Sequence, residues 1–286
     1  MNTSLILVNS HFGLHKPAPL SPQVKHVGGM HIKEAKPLNE ELEKFINDSE
    51  QGVILLSMGS MFRSESLPKN IRKAFENAFM RLPQRVIWKW ENENYYNKDG
   101  KILYMKWIPQ RDVLAHKNIK LFIYHGGLMG TMEAVYCGVP ILGIPMYGDM
   151  PVNLAAVTSF GAGTVLAIQQ ITEDSVFTTI NHMINNTSYK RRAEELSNIF
   201  KDRIIPPLDE AVYWTEYVIR HKGAQHLSSS SKHLYWFQYY LIDIILFLIL
   251  AFFTILTLTV YPIKLLVICL KICFSQIIFK KTIKRD

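Results

Sequence analysis

Residues Trp107 to Asn153 read WIPQRDVLAHKNIKLFIYHGGLMGTMEAVYCGVPILGIPMYGDMPVN, and this stretch decides the fold. It holds two short apolar runs, Ile119 to Tyr124 and Pro140 to Ile144, of the length of buried strands. Each run ends in a glycine-containing turn, His125-Gly126-Gly127 after the first and Gly148-Asp149 after the second. Between them Met129 to Tyr136 suits a helix closed by Gly138. Strand, helix and strand in this order make a βαβ unit, whose strands are parallel and whose crossover is right-handed. Both turns then lie at the carboxyl ends of strands, the edge where open α/β sheets bind ligands.

The pattern extends in both directions. Upstream, Val53 to Leu56 is a strand ending in Ser57-Met58-Gly59-Ser60, followed by a helix over 67–82. Arg85 to Trp90 and Ile102 to Lys106 are the next strands, separated by the polar loop NENYYNKDG at 92–100, and Pro109 to His116 suits a short helix. Downstream come a helix over 150–160, a strand over 163–167, and helices over 172–184, 189–200 and 208–221. Near the start, 4–9 reads as a short buried strand, Pro17, Pro19, Pro22, Gly28 and Gly29 mark a connecting stretch, and a helix covers 39–47. The predicted fold class is α/β, a Rossmann-like parallel sheet over 35–222 with helices on both faces. Residues 1–34 are read as the remnant of a preceding domain and a linker.

Composition changes near the end. Ile244 to Tyr261 holds no charge and is preceded by Tyr235, Trp236, Tyr239 and Tyr240, the pattern of one bilayer span with an aromatic belt. The expected boundaries are a juxtamembrane segment at 223–243, a transmembrane helix at 244–263 and a basic tail at 264–286. That tail carries +5 of the formal +8, and no basic stripe with interleaved aromatics runs through the body, so nucleic acid is not an expected partner. The positive-inside rule puts the tail in the cytosol and the body on the opposite side. Sequons at Asn2, Asn47, Asn185 and Asn186 fit that topology. Of the three cysteines only Cys137 precedes the span, so the body has no internal disulfide framework. Cys269 and Cys273 read as apolar filler, with S-palmitoylation as the alternative. Before the first charged residue only 5–8 is apolar, too short for a secretory signal, and the expected topology therefore assumes upstream sequence.

Four elements of the opening stretch suggest chemistry. His125 and its glycines lie between a strand and a helix, where free N–H groups favour an anion and the glycines let a phosphate approach. A buried, satisfied histidine is the competing reading. Glu133, on the same helix, is either a solvated charge or an acceptor for a ribose diol. Trp107 is either core or a platform for a nucleobase, with Gln110 beside it offering donor and acceptor. Asp149 is either the N-cap of the next helix or a ligand for sugar hydroxyls.

Taken together these elements resemble the signature of UDP-glycosyltransferases, which move a sugar from a UDP-sugar to small lipophilic acceptors. The resemblance extends from about Asn9 to the tail. It includes VGGMHI (Val27 to Ile32), LSMGSM (Leu56 to Met61), PPLDEAVYWTEYVIRHKGAQHL (Pro206 to Leu227) and WFQYYLID (Trp236 to Asp243), and it points to the membrane-bound animal branch. It implies the C-terminal donor domain of a GT-B glycosyltransferase in the endoplasmic reticulum membrane, with a role in detoxification. Trp107 becomes the uracil platform, Gln110 a uridine contact, Ser60, His125, Gly127 and Gly130 the diphosphate site, Glu133 the ribose acceptor and Asp149 a donor-sugar contact. A UDP-sugar is then the donor substrate, and neither metal nor other cofactor is implied.

The chain departs from the family pattern in three ways. Met129 stands where relatives usually carry Asn and Met150 where they carry Gln, each losing a hydrogen-bond donor. Val8 stands where glucuronosyl-transferring relatives have Arg, which favours a neutral sugar such as glucose. The acceptor-binding domain with its catalytic His is not recognised in this chain, so no catalytic base is assigned. The expectation is a donor-binding half that is inactive without an acceptor domain. The alternatives are a non-catalytic UDP-sugar-binding partner, oligomerising with full-length glycosyltransferases, and one subunit of a split enzyme.

Overall fold

The computed structural model describes residues 3–15, 18–92 and 100–283, with the backbone alone over 273–283. Most of the polar loop at 92–100, Asn2 of the first sequon and the charged end from Lys284 lie outside the described residues. The chain forms two compact units, Met1–Leu227 and Ser228–Asp286.

The first unit is built on a six-stranded sheet. Its strands are β3 (Val53–Ser57), β4 (Arg85–Lys89), β5 (Ile102–Met105), β6 (Ile119–Tyr124), β7 (Ile141–Gly143) and β8 (Gly163–Val165). They run in the order β5-β4-β3-β6-β7-β8, and every pairing is parallel. Strands that alternate with helices must be joined by crossovers, and the crossovers cover both faces. The central strands are accordingly apolar on both sides. Along β3, Val53 and Leu55 join one core while Ile54 and Leu56 join the other; along β6, Phe122 and Tyr124 oppose Leu121 and Ile123. This two-sided burial is why these strands read as continuous apolar runs instead of alternating ones.

Helices α1 (Glu40–Asn47), α3 (Gln110–Leu114), α4 (Leu128–Cys137), α5 (Met150–Ser159) and α7 (Thr187–Lys201) supply the first core, through residues such as Leu42, Val113, Met132, Leu154 and Leu196. Helices α2 (Lys69–Arg81) and α6 (Glu173–Asn185) supply the second, through Phe75, Phe79, Val176 and Ile180. Helix starts and stops follow local chemistry. The Asn39 side chain accepts from Leu42 N at 2.9 Å to start α1, and Thr172 and Ser175 form a reciprocal capping box on α6. Gly138, in the left-handed conformation at φ +63°, ends α4. Helix α8 (Pro207–Arg220) follows α7.

The sequence reading differs from the structure near the start. The connecting stretch contains a strand, β2 (Val24–His26), paired in parallel with β1 (Ile6–Val8) as a separate two-stranded sheet. Three residues are too few to show a period, and only their pairing with β1 defines them. Nor is β1 buried as expected, since Ile6 and Leu7 are exposed.

In the second unit, α9 (Trp236–Tyr239) carries exposed aromatic residues and precedes α10 (Ile242–Ile283). The part of α10 from Ile242 to Ile272 is long and apolar enough to cross a membrane, with a mean hydropathy of 2.7. Helix α10 continues past Pro262 and Lys264, where the sequence reading placed the end of the span. A proline removes one helical hydrogen bond, and the apolar run resumes beyond it.

Trp88 lies at the centre of the second core, edge-on to Phe75, Phe79 and Trp90 at 5.4–5.9 Å. Trp88→Ala is expected to cost about 3–5 kcal/mol of stability. A urea titration of the detergent-solubilised chain followed by circular dichroism checks this through the shift in midpoint.

Candidate functional site

The strand order creates the site. After β3 the chain moves toward β4 and β5, whereas after β6 it moves toward β7 and β8. The turns leaving these two neighbours therefore diverge, and a crevice opens at their carboxyl ends. A cleft of about 350 Å³ lies there. Ser57, Gly59 and Ser60 from the β3 turn line it, with Tyr124, Met129, Gly130 and Glu133 from β6 and α4, and Trp107 and Gln110 from the segment joining β5 to α3.

Trp107 is 72 % exposed, so the core reading of this residue is excluded and its ring is free to carry a ligand. Gln110, the first residue of α3, donates from Nε2 to Glu133 Oε2 at 2.6 Å. That bond joins two residues twenty-three positions apart into one polar edge of the cleft. Ser60 is exposed on the β3 turn, which Gly59 makes at φ +73° while its N–H donates to Ser57 Oγ.

His125 is 4 % exposed. Its ring is wedged between glycines: a Cβ on Gly59 would lie 2.5 Å from its Cε1, and one on Gly127 2.7 Å from its Nε2. Phe62 and Tyr124 pack edge-on against it. Burial pushes its pKa down to about 4, with Asp149 opposing weakly, so the imidazole is neutral at physiological pH. Its Nδ1 is buried without a hydrogen-bond partner, which sets aside the reading of a satisfied core histidine. Gly127 is the N-cap of α4 and supplies no capping side chain. The first N–H groups of α4 thus have no partner from the N-cap side chain and stand at the positive end of the helix dipole, while the Gly130 N–H is taken by Tyr124 Oη. A Cβ on Gly130 would lie 2.5 Å from Tyr124 Oη, so only glycine brings this backbone against the Tyr124 ring. Burial and the nearby Glu133 push the Tyr124 pKa up, keeping its phenol protonated.

Asp149 stands at the N-cap of α5 but makes no capping hydrogen bond. Its Oδ2 accepts from Asn153 Nδ2 at 2.8 Å, and the same amide donates to Gly126 O at 3.0 Å. Asn153 thus ties the β7 turn to the β6 turn. Met150 is 5 % exposed and belongs to the interior, whereas Met129 is exposed on the cleft.

Four residues here carry no role in the sequence reading. Asn153 is one; its spacing of four from Asp149 on a helix is the signal that would have found it. Lys89 lines the cleft at the end of β4, paired with Glu91 at 2.8 Å. Asn9 donates to Met129 Sδ at 3.3 Å, and His31 Nε2 lies 3.3 Å from Met129 O. The last two come from the stretch read as a linker, and no local pattern announces a contact across a hundred residues. Among the described residues no group of three or more His, Cys, Asp or Glu side chains is placed to hold a metal ion.

A parallel sheet with glycine-rich turns at its switch point is the α/β fold of the GT-B glycosyltransferases. Solved structures carry the same fold. The spinosyn forosaminyltransferase SpnP aligns with a TM-score of 0.61 at 16 % identity, covering 74 % of this chain and 54 % of its own. The glycotransferase of kitacinnamycin aligns with a TM-score of 0.59 at 18 % identity, with the same coverage of 74 % and 54 %. In sequence, the family profile "UDP-glucoronosyl and UDP-glucosyl transferase" matches residues 1–281, and the chain belongs to that family. UDP-glycosyltransferase UGT5 of Dactylopius coccus is 48 % identical over 92 % of this chain and 50 % of its own length. UDP-glucuronosyltransferase 2C1 of Oryctolagus cuniculus is 40 % identical over 87 % and 49 %. The chain spans about half the length of these curated relatives.

Two buried histidines set the acid limit of this unit. His11 is also pushed down to about 4, by burial first and then by Arg203, His15 and His26. The unfolded chain takes up both protons near pH 6.5 and the folded protein does not, so stability is complete above 6.5 and falls as pH drops toward 4. Each histidine accounts for up to about 3 kcal/mol of that loss. Melting temperatures measured between pH 7.5 and 4.5 are expected to fall across this window, and His11→Asn, which retains an acceptor for the Gly13 N–H, is expected to flatten the fall.

Proposed function

We propose that this chain is the donor-binding and membrane-anchoring half of a UDP-glycosyltransferase. In this reading Trp107 stacks on uracil, Gln110 contacts the uridine and Glu133 accepts from the ribose hydroxyls. Ser60, the neutral His125 and the backbone at Gly127 and Gly130 surround the diphosphate, and Asp149 meets the donor sugar. The observation that carries the reading is the exposed Trp107 ring on the same cleft as the Gln110–Glu133 pair. A nucleoside requires both at once, an aromatic face for the base and a fixed acceptor for the diol. The cradle meets a diphosphate with N–H dipoles and needs no metal in this reading.

Transfer to a small lipophilic acceptor would be a direct displacement at the anomeric carbon with inversion. It requires a base within about 3 Å of the acceptor hydroxyl. His125 is committed to the cradle, so the base and the acceptor pocket are assigned to an acceptor-binding domain outside this chain. Val8, with no cation to offer a carboxylate, favours a neutral sugar such as glucose over glucuronate. The body is assigned to the lumen of the endoplasmic reticulum, with α10 as the anchor and the basic end in the cytosol.

A second reading, a non-catalytic UDP-sugar-binding partner of full-length relatives, is favoured by Met129. Its exposed thioether lies on the cleft where a donor side chain would serve a phosphate. Co-purification from native membranes distinguishes the two, since a regulatory partner brings down a longer glycosyltransferase.

Calorimetric titration of the detergent-solubilised chain tests the donor site directly. UDP and UDP-glucose are expected to bind, with UDP-glucuronate weaker than UDP-glucose. Trp107→Ala is expected to weaken UDP by about 1–3 kcal/mol, roughly fivefold to 150-fold in Kd. Absence of UDP binding by the wild-type chain overturns the reading, and an unchanged Kd in the variant removes the stacking role.

A further inference from the structure

His31 is presented by a built turn. Met30 N donates to Val27 O at 3.2 Å and Ile32 N to Gly29 O at 2.9 Å, with Gly29 at φ +92°. The Arg203 guanidinium clamps the approach to this turn, donating from Nη1 to His26 O at 3.2 Å and from Nη2 to Gly28 O at 3.1 Å. Phe200 closes it from beneath, 3.0 Å from where a Cβ on Gly29 would lie. The turn is therefore fixed by the body of the unit and does not trail along its surface.

From this turn the imidazole reaches α4. Its Nε2 lies 3.3 Å from Met129 O. A carbonyl oxygen only accepts, so the proton of that bond is on Nε2. The same nitrogen faces Glu133 Oε1 at 3.9 Å. The other nitrogen, Nδ1, is buried with no hydrogen-bond partner, so the polar edge of the ring is directed at α4 alone. Glu133 is thus approached from two sides: Gln110 holds Oε2 at 2.6 Å, and His31 stands by Oε1. The Nε2–H is given to Met129 O, and at 3.9 Å it attracts Oε1 without a hydrogen bond, so of the four or so lone-pair directions of the carboxylate Gln110 takes one and the others stay open to the hydroxyls of a cis-diol.

We propose that His31 is a positioning residue for Glu133, its imidazole beside Oε1 biasing the plane of the carboxylate so that the free lone pairs face a ribose diol. The inference rests on the reading in which Glu133 holds the ribose. It assigns to the segment before the sheet a share of donor recognition that acts on the sugar ring of the nucleoside and not on its base or phosphates. Removing the imidazole leaves Glu133 with one partner, free to rotate about its terminal bond, and only ligands that use the diol feel the change.

The test compares UDP with 2′,3′-dideoxy-UDP as calorimetric probes on the detergent-solubilised chain. The wild-type chain is expected to prefer UDP, and Glu133→Ala to abolish that preference. His31→Ala is expected to weaken UDP about three- to tenfold, the scale on which a ligand feels the loss of one neighbour that orients its acceptor, with the dideoxy nucleotide unchanged within about twofold. His31→Gln, whose amide nitrogen reaches the place of Nε2, is expected to restore most of the preference. Equal weakening of both nucleotides by His31→Ala, or no effect on either, overturns the positioning role while leaving the Glu133 reading intact. Retention of the UDP preference by Glu133→Ala overturns the ribose reading itself and the inference with it. Binding of the dideoxy nucleotide shows in the same experiment that each variant is folded.

Discussion

Parallel pairing of Val53–Ser57 with Ile119–Tyr124 brings the ends of the two central strands to one edge of the sheet, and the strand order sends the chain from them in opposite directions, which opens a gap between the two exits. Every functional element of the first unit depends on that divergence. The β3 turn brings Gly59 and Ser60 to one side of the gap, and the β6 turn brings His125 and Gly127 to the other. Helix α4 begins inside the gap with no capping bond from its N-cap side chain. A helix N-terminus of this kind carries the positive end of the dipole without a charged residue.

The cost of this arrangement is concentrated at His125. An imidazole with an unpartnered nitrogen, held in a closed space, loses hydration that no protein group replaces. Glycines at 59 and 127 let backbone approach the ring more closely than any side chain would permit. Burial keeps the ring neutral, so one nitrogen can donate and the other accept without a formal charge entering the cleft. Asn153 completes the framework, since one amide group joins the turn after β6 to the turn after β7.

The segment preceding the sheet has more to do with the site than its composition suggests. Proline and glycine at five of the positions from 17 to 29 read as a connector, yet a short parallel ribbon and an arginine clamp give it a fixed path. Along that path Asn9 meets Met129 and His31 meets both Met129 and Glu133. Gln110 and Glu133, which line the cleft and are joined to each other, thus have a further neighbour, His31, that lies outside the opening stretch.

The sequence by itself determined the sheet, because two-sided burial writes each central strand as an unbroken apolar run and each turn as glycine and small polar residues. It also determined the apolar length of α10, since a bilayer span is a matter of composition over consecutive residues. Trp107, Gln110, His125 and Glu133 were legible as candidates because their positions at strand ends and on one helix are local facts. Whether Trp107 was buried in the core, and whether Asp149 capped its helix, depended on what lies around them in the folded chain, which leaves no mark in the residues nearby. The same holds for β2, for Asn153 and for His31. Their partners lie far away in the chain, and a contact made by folding leaves no period or spacing in the residues that make it.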